Sequence, residues 1–199
     1  MKKISLVLSF RNEEKNIHEL IDRVNKLFNK LDKYTYEFIF INDASTDKSL
    51  DILKKNIGLY PMKIINMSRR FGSTSCVFAG FENSDGDAII YMDSDLQDPP
   101  EIIEKMIEKY EAGYEVVHTR RIRRDGESKI KMFITKLAYK SINLLSNINL
   151  QTNVGDFKLI SRRAMQSLLK IKEIDPYMRG LSVWVGYKQT FVDYIREKR

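Results

Sequence analysis

The sequence predicts an α/β protein with a mostly parallel sheet that is covered by helices on both faces. Two observations support this prediction: short apolar segments alternate with segments whose apolar residues recur at helical spacing, and acidic residues follow three of the apolar segments. In open sheets of this kind, ligands bind beyond the carboxyl ends of the strands. We therefore expect the functional residues in the loops that follow the strands.

The first half of the chain repeats one strand-helix pattern. Residues 4–10 form a short apolar run typical of a buried strand, and residues 16–31 have apolar side chains at helical spacing. The same alternation then continues towards the middle of the chain. The predicted strands are 4–10, 36–41, 62–67, 88–92 and 115–119, and the predicted helices are 16–31, 47–57, 74–83 and 99–112.

The second half departs from this alternation. A basic stretch follows Arg120. The pattern then predicts a long helix over 128–148, a strand over 157–160, a helix over 162–169 and a strand over 190–195. Because a chain of 199 residues fits one hydrophobic core, we interpret 1–199 as a single domain in which this half elaborates the sheet.

The composition limits the possible classes of protein. A hydrophobic fraction of 43% indicates a globular protein, and the net charge of +7 favours anionic partners such as phosphates, nucleic acid or an acidic membrane face. The single Cys76 forms no internal disulfide, and two histidines are too few for a Cys/His zinc cluster, so a reducing, cytosolic setting is expected. No apolar run approaches the roughly 20 residues that span a bilayer, which predicts peripheral membrane contact within this chain.

The most informative segment is an apolar strand that ends in acidic residues. Residues 89–92 are followed directly by Asp93, Ser94 and Asp95. Alternation along a strand places the two aspartates on one side, at the ligand-binding edge of the sheet. Their like charges favour a shared divalent cation, Mg²⁺ or Mn²⁺, bound together with a diphosphate. The alternative is that they are solvated turn residues.

Each of the other acidic residues near this edge has a structural explanation as well. Asp98 is followed by two prolines and a glutamate, a pattern typical of a helix start, so we expect an N-cap. Asp47 is also expected to be an N-cap, whereas Asp43 at a strand end could accept hydrogen bonds from a base or ribose. Glu13 and Glu14 bind a ligand or interact with the dipole of the next helix.

Several short motifs follow one another in a characteristic order. Residues 9–14 are like Pro-x-x-Asn-Glu, residues 41–47 are like Val-Asp-Asp-Gly-Ser-Thr-Asp, and residues 93–101 read Asp-Ser-Asp-Leu-Gln-Asp-Pro-Pro-Glu. Further matches are Ser-Arg-Arg-Phe-Gly at 68–72, Ala-Gly at 79–80, Gly-Asp at 86–87 and Gly-Asp-Phe-Lys-Leu at 155–159. In these motifs the chain resembles glycosyltransferase family 2, and within it the polyprenyl-phosphate glycosyltransferases related to dolichyl-phosphate mannosyltransferase and bactoprenol glucosyltransferase.

The resemblance implies a GT-A type, Rossmann-like fold with an elaboration on the acceptor side. It also implies an inverting transfer of a hexose from a UDP- or GDP-sugar to a polyprenyl phosphate, with Mg²⁺ or Mn²⁺ held by Asp93 and Asp95. Residues 1–120 would bind the nucleotide-sugar and residues 121–199 the acceptor. Asp95 and Asp156 are the expected catalytic residues, Asp156 as a base or as the group that orients the acceptor phosphate.

The resemblance also assigns residues that bind the substrates. A basic segment with Arg120, Arg121, Arg123 and Arg124 is expected near the diphosphate and the lipid phosphate, where arginine donates two hydrogen bonds at once; a solvated basic loop is the alternative. The full expected set is Ser9, Arg11, Asn12, Glu13, Asn42, Asp43, Arg69, Gly72, Asp93, Ser94, Gln97, Arg120, Arg121 and Arg124.

The chain departs from the family pattern at several positions. Ser9 stands where the family has proline, Asn42 where it has aspartate, Ala44 where it has glycine and Arg70 where it has asparagine. The loss of a charge at Asn42 affects the expected recognition of the base and leaves the metal ligands unchanged. Many relatives also continue with a Gly-x-Ser-Lys segment and two transmembrane helices, so a natural soluble form, a truncated form and a degraded gene all stay open.

The predicted helix over 128–148 combines lysines with an apolar stripe, a basic amphipathic pattern. In the related enzymes this region lies at the membrane interface, which predicts a peripheral location at the cytoplasmic face; packing of the stripe on the sheet is the alternative.

An inactive nucleotide-sugar-binding remnant and transfer to a glycan are alternative functions, and self-association stays open. Nucleic acid is not expected as a partner, because zinc-finger spacing and a visible recognition-helix or aromatic RNA-binding motif are lacking.

Overall fold

The computed structural model describes residues 1–122, 144, 151, 153–173 and 176–197. The strands are β1 (Lys2–Phe10), β2 (Tyr34–Asn42), β3 (Met62–Asn66), β4 (Ala88–Asp93), β5 (Val116–Arg121), β6 (Val154–Ser161) and β7 (Gln189–Tyr194). The helices are α1 (Ile17–Phe28), α2 (Ser49–Asn56), α3 (Ser73–Glu82), α4 (Ile102–Glu111), α5 (Arg162–Leu169) and α6 (Met178–Trp184). The sequence patterns locate all of these elements except α6 to within three residues, while the predicted helix over 128–148 lies outside the described residues.

The seven strands form one sheet in the order β3-β2-β1-β4-β6-β5-β7. β1 pairs in parallel with β2 and β4, β2 with β3, and β5 with β7, whereas β6 is antiparallel to β4 and β5. The prediction of a mostly parallel sheet is therefore confirmed. Because β6 runs in the opposite direction, it begins at the edge where the other six strands end.

Helices cover both faces of the sheet, as the sequence predicts. One hydrophobic core joins α1, α2 and α4 to side chains such as Leu6, Phe38 and Ile90. The other joins α3, α5 and α6 to side chains on the opposite face, such as Val7 and Ile160. The near-continuous apolar character of the central strands follows from this burial on both faces.

The chain changes direction across the sheet between β1 and β4. β2 and β3 lie on one side of β1, and β4 and the later strands lie on the other. Such a reversal leaves a crevice at the carboxyl ends of the two central strands, which is where α/β sheets bind their ligands. Across the described residues, no helix has the length and apolar character needed to cross a bilayer.

Candidate functional site

The acidic motif begins where β4 ends. β4 stops at Asp93, and the buried hydroxyl of Ser94 donates a hydrogen bond to the carbonyl oxygen of Ser9 at 3.0 Å, which joins the ends of β1 and β4. Asp95 lies beyond the strand, where its Oδ1 accepts a hydrogen bond from the backbone N–H of Gln97 at 3.1 Å. The two carboxylates thus reach the same cavity through a bend in the chain, whereas the sequence pattern predicted that strand alternation would align them.

A cavity of about 190 Å³, here called the Asp95 cavity, lies at this edge. It is lined by Ser9, Phe10, Arg11, Glu13, Asp43, Ser73, Cys76, Asp93, Ser94 and Asp95. Burial, and then the negative charges of Asp95 and Asp156, raise the pKa of Asp93 to about 6. The cavity therefore concentrates negative charge that a bound cation would relieve.

No group of three or more His, Cys, Asp or Glu side chains that could hold a metal occurs in the part of the chain that the structure describes. The protein would then provide the two carboxylates of Asp93 and Asp95, and phosphate oxygens and water would complete the coordination. Small hard cations such as Mg²⁺ are commonly bound in this way, by one or two carboxylates together with substrate phosphates. The donor set fits a divalent cation that arrives with a diphosphate.

The loop after β1 is connected to the loop after β2. Arg11 donates hydrogen bonds to the carbonyl oxygens of Asp43 and Ala44, at 2.9 and 3.0 Å. Asn12 has a φ of +58°, and its side-chain oxygen accepts a hydrogen bond from the backbone N–H of Thr46 at 2.8 Å. Glu13 is buried and lines the cavity. These contacts give Arg11 and Asn12 a structural role, and Arg11 and Glu13, but not Asn12, line the cavity.

The end of β2 holds the loop in front of α3. The carboxylate of Asp43 accepts hydrogen bonds from the backbone N–H groups of Phe71 and Gly72, at 2.7 and 3.1 Å. Gly72 has a φ of +91°, a backbone conformation that favours glycine. Arg69 is exposed, with its guanidinium 3.9 Å from the ring centroid of Phe71. Asp43 thus lines the cavity and binds Gly72, which directly precedes the lining residue Ser73, and Arg69 lies on the surface nearby.

Two further residues of the loop after β2 are held by hydrogen bonds. Asn42 is buried; its side-chain amide donates to the side-chain oxygen of Asn66 and accepts from the backbone N–H of Ser45. Asp47 accepts hydrogen bonds from the backbone N–H of Ser49, the first residue of α2, and from that of Glu14. The N-cap residue of α2 is Lys48, so the prediction of Asp47 as the N-cap was wrong by one residue, although the side chain of Asp47 does satisfy the first N–H group of the helix.

Asp98 does not cap a helix, so that prediction was wrong. α4 begins at Ile102, and its N-cap residue makes no side-chain capping hydrogen bond. The two residues after Asp98 are prolines, which lack the N–H groups that a capping carboxylate would need. Asp98 is instead buried, with 2% of its surface exposed. Its Oδ1 accepts a hydrogen bond from the hydroxyl of Tyr194. Nη2 of Arg121 and Nε of Arg196 lie 3.7 and 3.4 Å from the same oxygen.

The predicted basic segment is divided between two environments. Arg121 lies beside Asp98, and its Nε donates to the hydroxyl of Tyr194 at 3.0 Å. Arg120 forms a bidentate ion pair with Asp193 at the surface, at 2.6 and 2.9 Å. Arg121 therefore supports the acidic motif, whereas Arg120 is engaged on β7. The other two arginines of the predicted segment, Arg123 and Arg124, lie outside the described residues.

A second cavity, here called the Asp156 cavity, has a volume of about 320 Å³. It is lined by Ser73, Thr74, Val77, Tyr91, Asp156, Tyr177, Met178 and Arg179. Arg179 donates two hydrogen bonds to the carboxylate of Asp156, Nε to Oδ1 at 2.9 Å and Nη2 to Oδ2 at 2.5 Å. Burial opposes ionisation of Asp156, but the bonds and charge of Arg179 outweigh it and hold the pKa of Asp156 below its usual range.

The two cavities adjoin. Ser73 lines both of them. The hydroxyl of Tyr91, in the wall of the Asp156 cavity, donates a hydrogen bond to Oδ1 of Asp93, in the wall of the Asp95 cavity, at 3.3 Å. The predicted residues Asp93, Asp95 and Asp156 are thus brought together at one edge of the sheet, with space on both sides of them.

Sequence patterns did not indicate the cationic partners of these acids. Arg179 and Arg196 lie in segments to which no motif was assigned, and Arg196 also approaches Asp95, with its Nη2 at 3.9 Å from Oδ2. The sequence pattern identifies Tyr194 only as an aromatic residue within the predicted strand over 190–195. The available signal was the concentration of basic residues, Arg196, Lys198 and Arg199, around the single acid Glu197.

Comparisons with a family model and with individual proteins identify the same family. The family model described as glycosyl transferase family 2 matches residues 5–169. The chain is 40% identical over 196 residues to an uncharacterized glycosyltransferase of Bacillus subtilis, YkcC, covering 98% of this chain and 60% of the relative. It is 36% identical to the bactoprenol glucosyl transferase of Shigella phage SfX, covering 99% of this chain and 65% of the relative. The chain spans about three fifths of the length of such relatives.

Solved structures share the fold at lower sequence identity. Glucosyl-3-phosphoglycerate synthase from Mycobacterium tuberculosis, in complex with Mn²⁺, UDP and phosphoglyceric acid, aligns with a TM-score of 0.66 at 21% identity, over 100% of this chain and 71% of its own. The mannosyltransferase PcManGT from Pyrobaculum calidifontis, in complex with GDP-Man and Mn²⁺, aligns with a TM-score of 0.66 at 13% identity, over 96% of this chain and 55% of its own. Both are glycosyltransferase folds, which agrees with the GT-A expectation.

Proposed function

Because the chain belongs to glycosyl transferase family 2, we propose that it transfers a hexose from a nucleotide-diphosphate sugar to a polyprenyl phosphate. The observation that carries this proposal is the pair of adjoining cavities. One presents the carboxylates of Asp93 and Asp95, and the other presents Asp156 paired with Arg179. Relatives named bactoprenol glucosyl transferase, at 36% identity, support the choice of acceptor.

The Asp95 cavity is the proposed site of the nucleoside diphosphate. Asp43 already accepts two backbone hydrogen bonds, yet an ionised carboxylate has about four acceptor positions, so it can also accept from a base or ribose. The neighbouring Asn42 is buried and bonds both to Ser45 in the same loop and to Asn66 at the end of β3, which supports a role in holding that loop. The replacement of an acid by Asn42 would then leave the contact at Asp43 intact.

A divalent cation, Mn²⁺ or Mg²⁺, belongs to the proposal. Asp93 and Asp95 would hold it, and when bound it would supply the positive charge that stabilises the departing diphosphate. The raised pKa of Asp93 and the oxygen-only donor pair both suit such an ion. The presence of Mn²⁺ in the two similar solved structures agrees with this assignment.

In the proposed reaction, an oxygen of the acceptor phosphate forms a bond to the anomeric carbon of the sugar. The bond from that carbon to the diphosphate breaks, and the nucleoside diphosphate leaves with the electron pair. Attack opposite to the leaving group inverts the configuration. A phosphate is ionised at neutral pH, so no proton has to be removed. Asp156 would therefore orient the acceptor through Arg179, at a membrane surface where a polyprenyl phosphate resides.

The direct test incubates the purified protein with UDP- or GDP-hexoses and a prenyl phosphate, with Mn²⁺, with Mg²⁺ or with a chelator. Formation of glycosyl prenyl phosphate, measured by mass spectrometry, is the expected result. Asp95→Asn should lower turnover by roughly 100-fold or more, because charge stabilisation of a leaving group is worth several kcal/mol. The exposed Asp32→Asn is the matched control. Wild-type turnover in Asp95→Asn, or no product with any donor, would contradict the proposal.

A further inference from the structure

The short helix α6 is fixed to β6 by two polar contacts. Arg179 pairs with Asp156, and one turn later the hydroxyl of Ser182 accepts a hydrogen bond from Nζ of Lys158 at 3.0 Å. Asp156 and Lys158 are two residues apart on the strand, so their side chains point to the same face of the sheet. Two residues that are three positions apart on the helix therefore bond to two residues that are two positions apart on the strand. These two bonds determine which side of α6 faces the sheet and which sides face outwards.

Lys158 makes the second contact strong. Its side chain is completely buried, and burial lowers its pKa to about 8. A buried amine without a hydrogen-bond partner would be costly, so the bond to Ser182 ties α6 to the strand at this point. The helix is therefore attached to β6 at both of these residues, Arg179 and Ser182.

Two different surfaces meet on α6. Met178 and Arg179 line the Asp156 cavity. The next turns line a separate groove of about 230 Å³, here called the Trp184 groove, formed by Ile171, Glu173, Tyr177, Gly180, Leu181 and Trp184. Tyr177 belongs to both. Tyr177 is 50% exposed and Trp184 is 62% exposed, so a largely apolar surface continues outwards from the Asp156 cavity.

This arrangement matches the chemistry of an amphiphile whose anionic head is bonded directly to a hydrocarbon chain. A phosphate beside Asp156 would be repelled by that carboxylate unless a cation lay between them, and Arg179 is the group in that place. The hydrocarbon attached to the phosphate must then leave the polar cavity and gains free energy from an adjacent apolar surface. Tyr177 lines both the polar Asp156 cavity and the apolar Trp184 groove.

We propose that α6 is the acceptor-recognition helix, with Arg179 binding the acceptor's phosphate and the Trp184 groove binding the first isoprenoid units of its chain. This proposal rests on the proposed function. It assigns a position for both ends of the acceptor and makes Trp184 a residue that distinguishes a prenyl phosphate from a simple phosphate ester.

Trp184 is the only tryptophan in the chain, so its fluorescence reports directly on the groove. Geranyl phosphate, added below its micelle concentration in buffer without detergent or vesicles, should shift the emission to shorter wavelength as the ring becomes covered. Methyl phosphate should leave the emission unchanged. Arg179→Gln should weaken the geranyl phosphate response by about tenfold or more, and Arg179→Lys should recover part of it.

Turnover with the same two acceptors provides the second measurement. Trp184→Ala should lower kcat/KM for geranyl phosphate by about tenfold and leave kcat/KM for methyl phosphate unchanged. Arg179→Gln should raise KM for both acceptors without changing KM for the nucleotide-sugar, a split that a merely structural role would not produce. Leu59→Ala, at an exposed apolar residue outside both cavities and the groove, is the matched control.

The outcomes separate this inference from the proposed function. An emission shift without transfer would contradict the proposed function and keep the assignment of the groove. Transfer without an emission shift, or an equal effect of Trp184→Ala on both acceptors, would overturn the role of the groove. A shift with phospholipid vesicles but none with geranyl phosphate would assign the groove to a bilayer surface and overturn the proposal as well.

Discussion

Acidification below pH 6.5 is expected to destabilise the fold through one buried histidine. His118 on β5 is completely buried, and its Nε2 lies 2.8 Å from Oε1 of Gln189. The side-chain nitrogen of Gln189 donates to the carbonyl oxygens of Ser182 and Val183, which turns Oε1 towards the ring and assigns the ring hydrogen to Nε2. Nδ1 is buried without a hydrogen-bond partner in the described structure, so protonation there would bury a charge.

The magnitude follows from the two pKa values. Burial, and then the charge of Lys158, lower the pKa of His118 from 6.5 to about 4. Between these values the unfolded chain binds a proton that the folded chain does not bind, so the free energy of unfolding falls as the pH falls. The loss begins near pH 6.5, is complete below about pH 4, and amounts to about 3 kcal/mol.

Urea denaturation of wild type and His118→Gln, followed by circular dichroism between pH 7 and pH 4, measures this contribution. The variant should be the less stable protein at pH 7, and the difference between the two should shrink by about 3 kcal/mol at pH 4. Carboxylates titrate in both proteins and cancel in the difference. His18→Gln changes the exposed histidine of α1 and should follow wild type. An unchanged difference between wild type and His118→Gln across the range would refute the reasoning.

Three further substitutions have expected outcomes. Ala44 has a φ of +55°, so Ala44→Gly should raise the free energy of unfolding by up to about 1 kcal/mol in urea denaturation; a decrease contradicts the strain. A Cβ at Gly80 would lie 2.3 Å from Cγ1 of Val7, so Gly80→Ala should cost about 1–3 kcal/mol by the same measurement, and Val7→Ala in the same chain should recover part of it. Tyr194→Phe removes a donor from buried Asp98, which should cost about 1–3 kcal/mol and raise KM for the nucleotide-sugar; an unchanged KM would restrict this bond to stability.

The elements of the fold could be predicted because the sheet is buried on both faces. Burial makes the central strands continuous apolar runs, and the helices that cover them keep their apolar residues at helical spacing. The direction of β6 could not be predicted in the same way, since parallel and antiparallel strands have the same side-chain period. The helix at Met178–Trp184 was missed because it is short and contains Gly180, and the contacts that fix it come from Asp156 and Lys158 on β6.

The site was predictable only in its acidic half. Asp43, Asp93 and Asp95 follow strands, and the ends of parallel strands meet at one edge of a sheet whatever the details of packing. Asp98 has the same local appearance as a helix cap, yet its hydrogen-bond donor is Tyr194, which is 96 positions away in the sequence. A local pattern contains no information about a partner at that distance, and the same holds for Arg179 beside Asp156.

The arginines that pair with or approach Asp95, Asp98 and Asp156 all come from the second half of the chain. The segment after β7 also contacts the acidic loop after β4. The backbone N–H of Glu197 donates to the carbonyl oxygen of Gln97 at 2.8 Å, while Arg23 on α1 pairs with the carboxylates of both Glu101 and Glu197. The segment after β7 therefore holds the loop that carries Asp95 from outside. Two like-charged aspartates are brought together in the first half of the fold, whereas the arginine that approaches Asp95, Arg196, lies in the segment after β7. The geometry of the acidic site is thus a property of the completed sheet rather than of the motif alone.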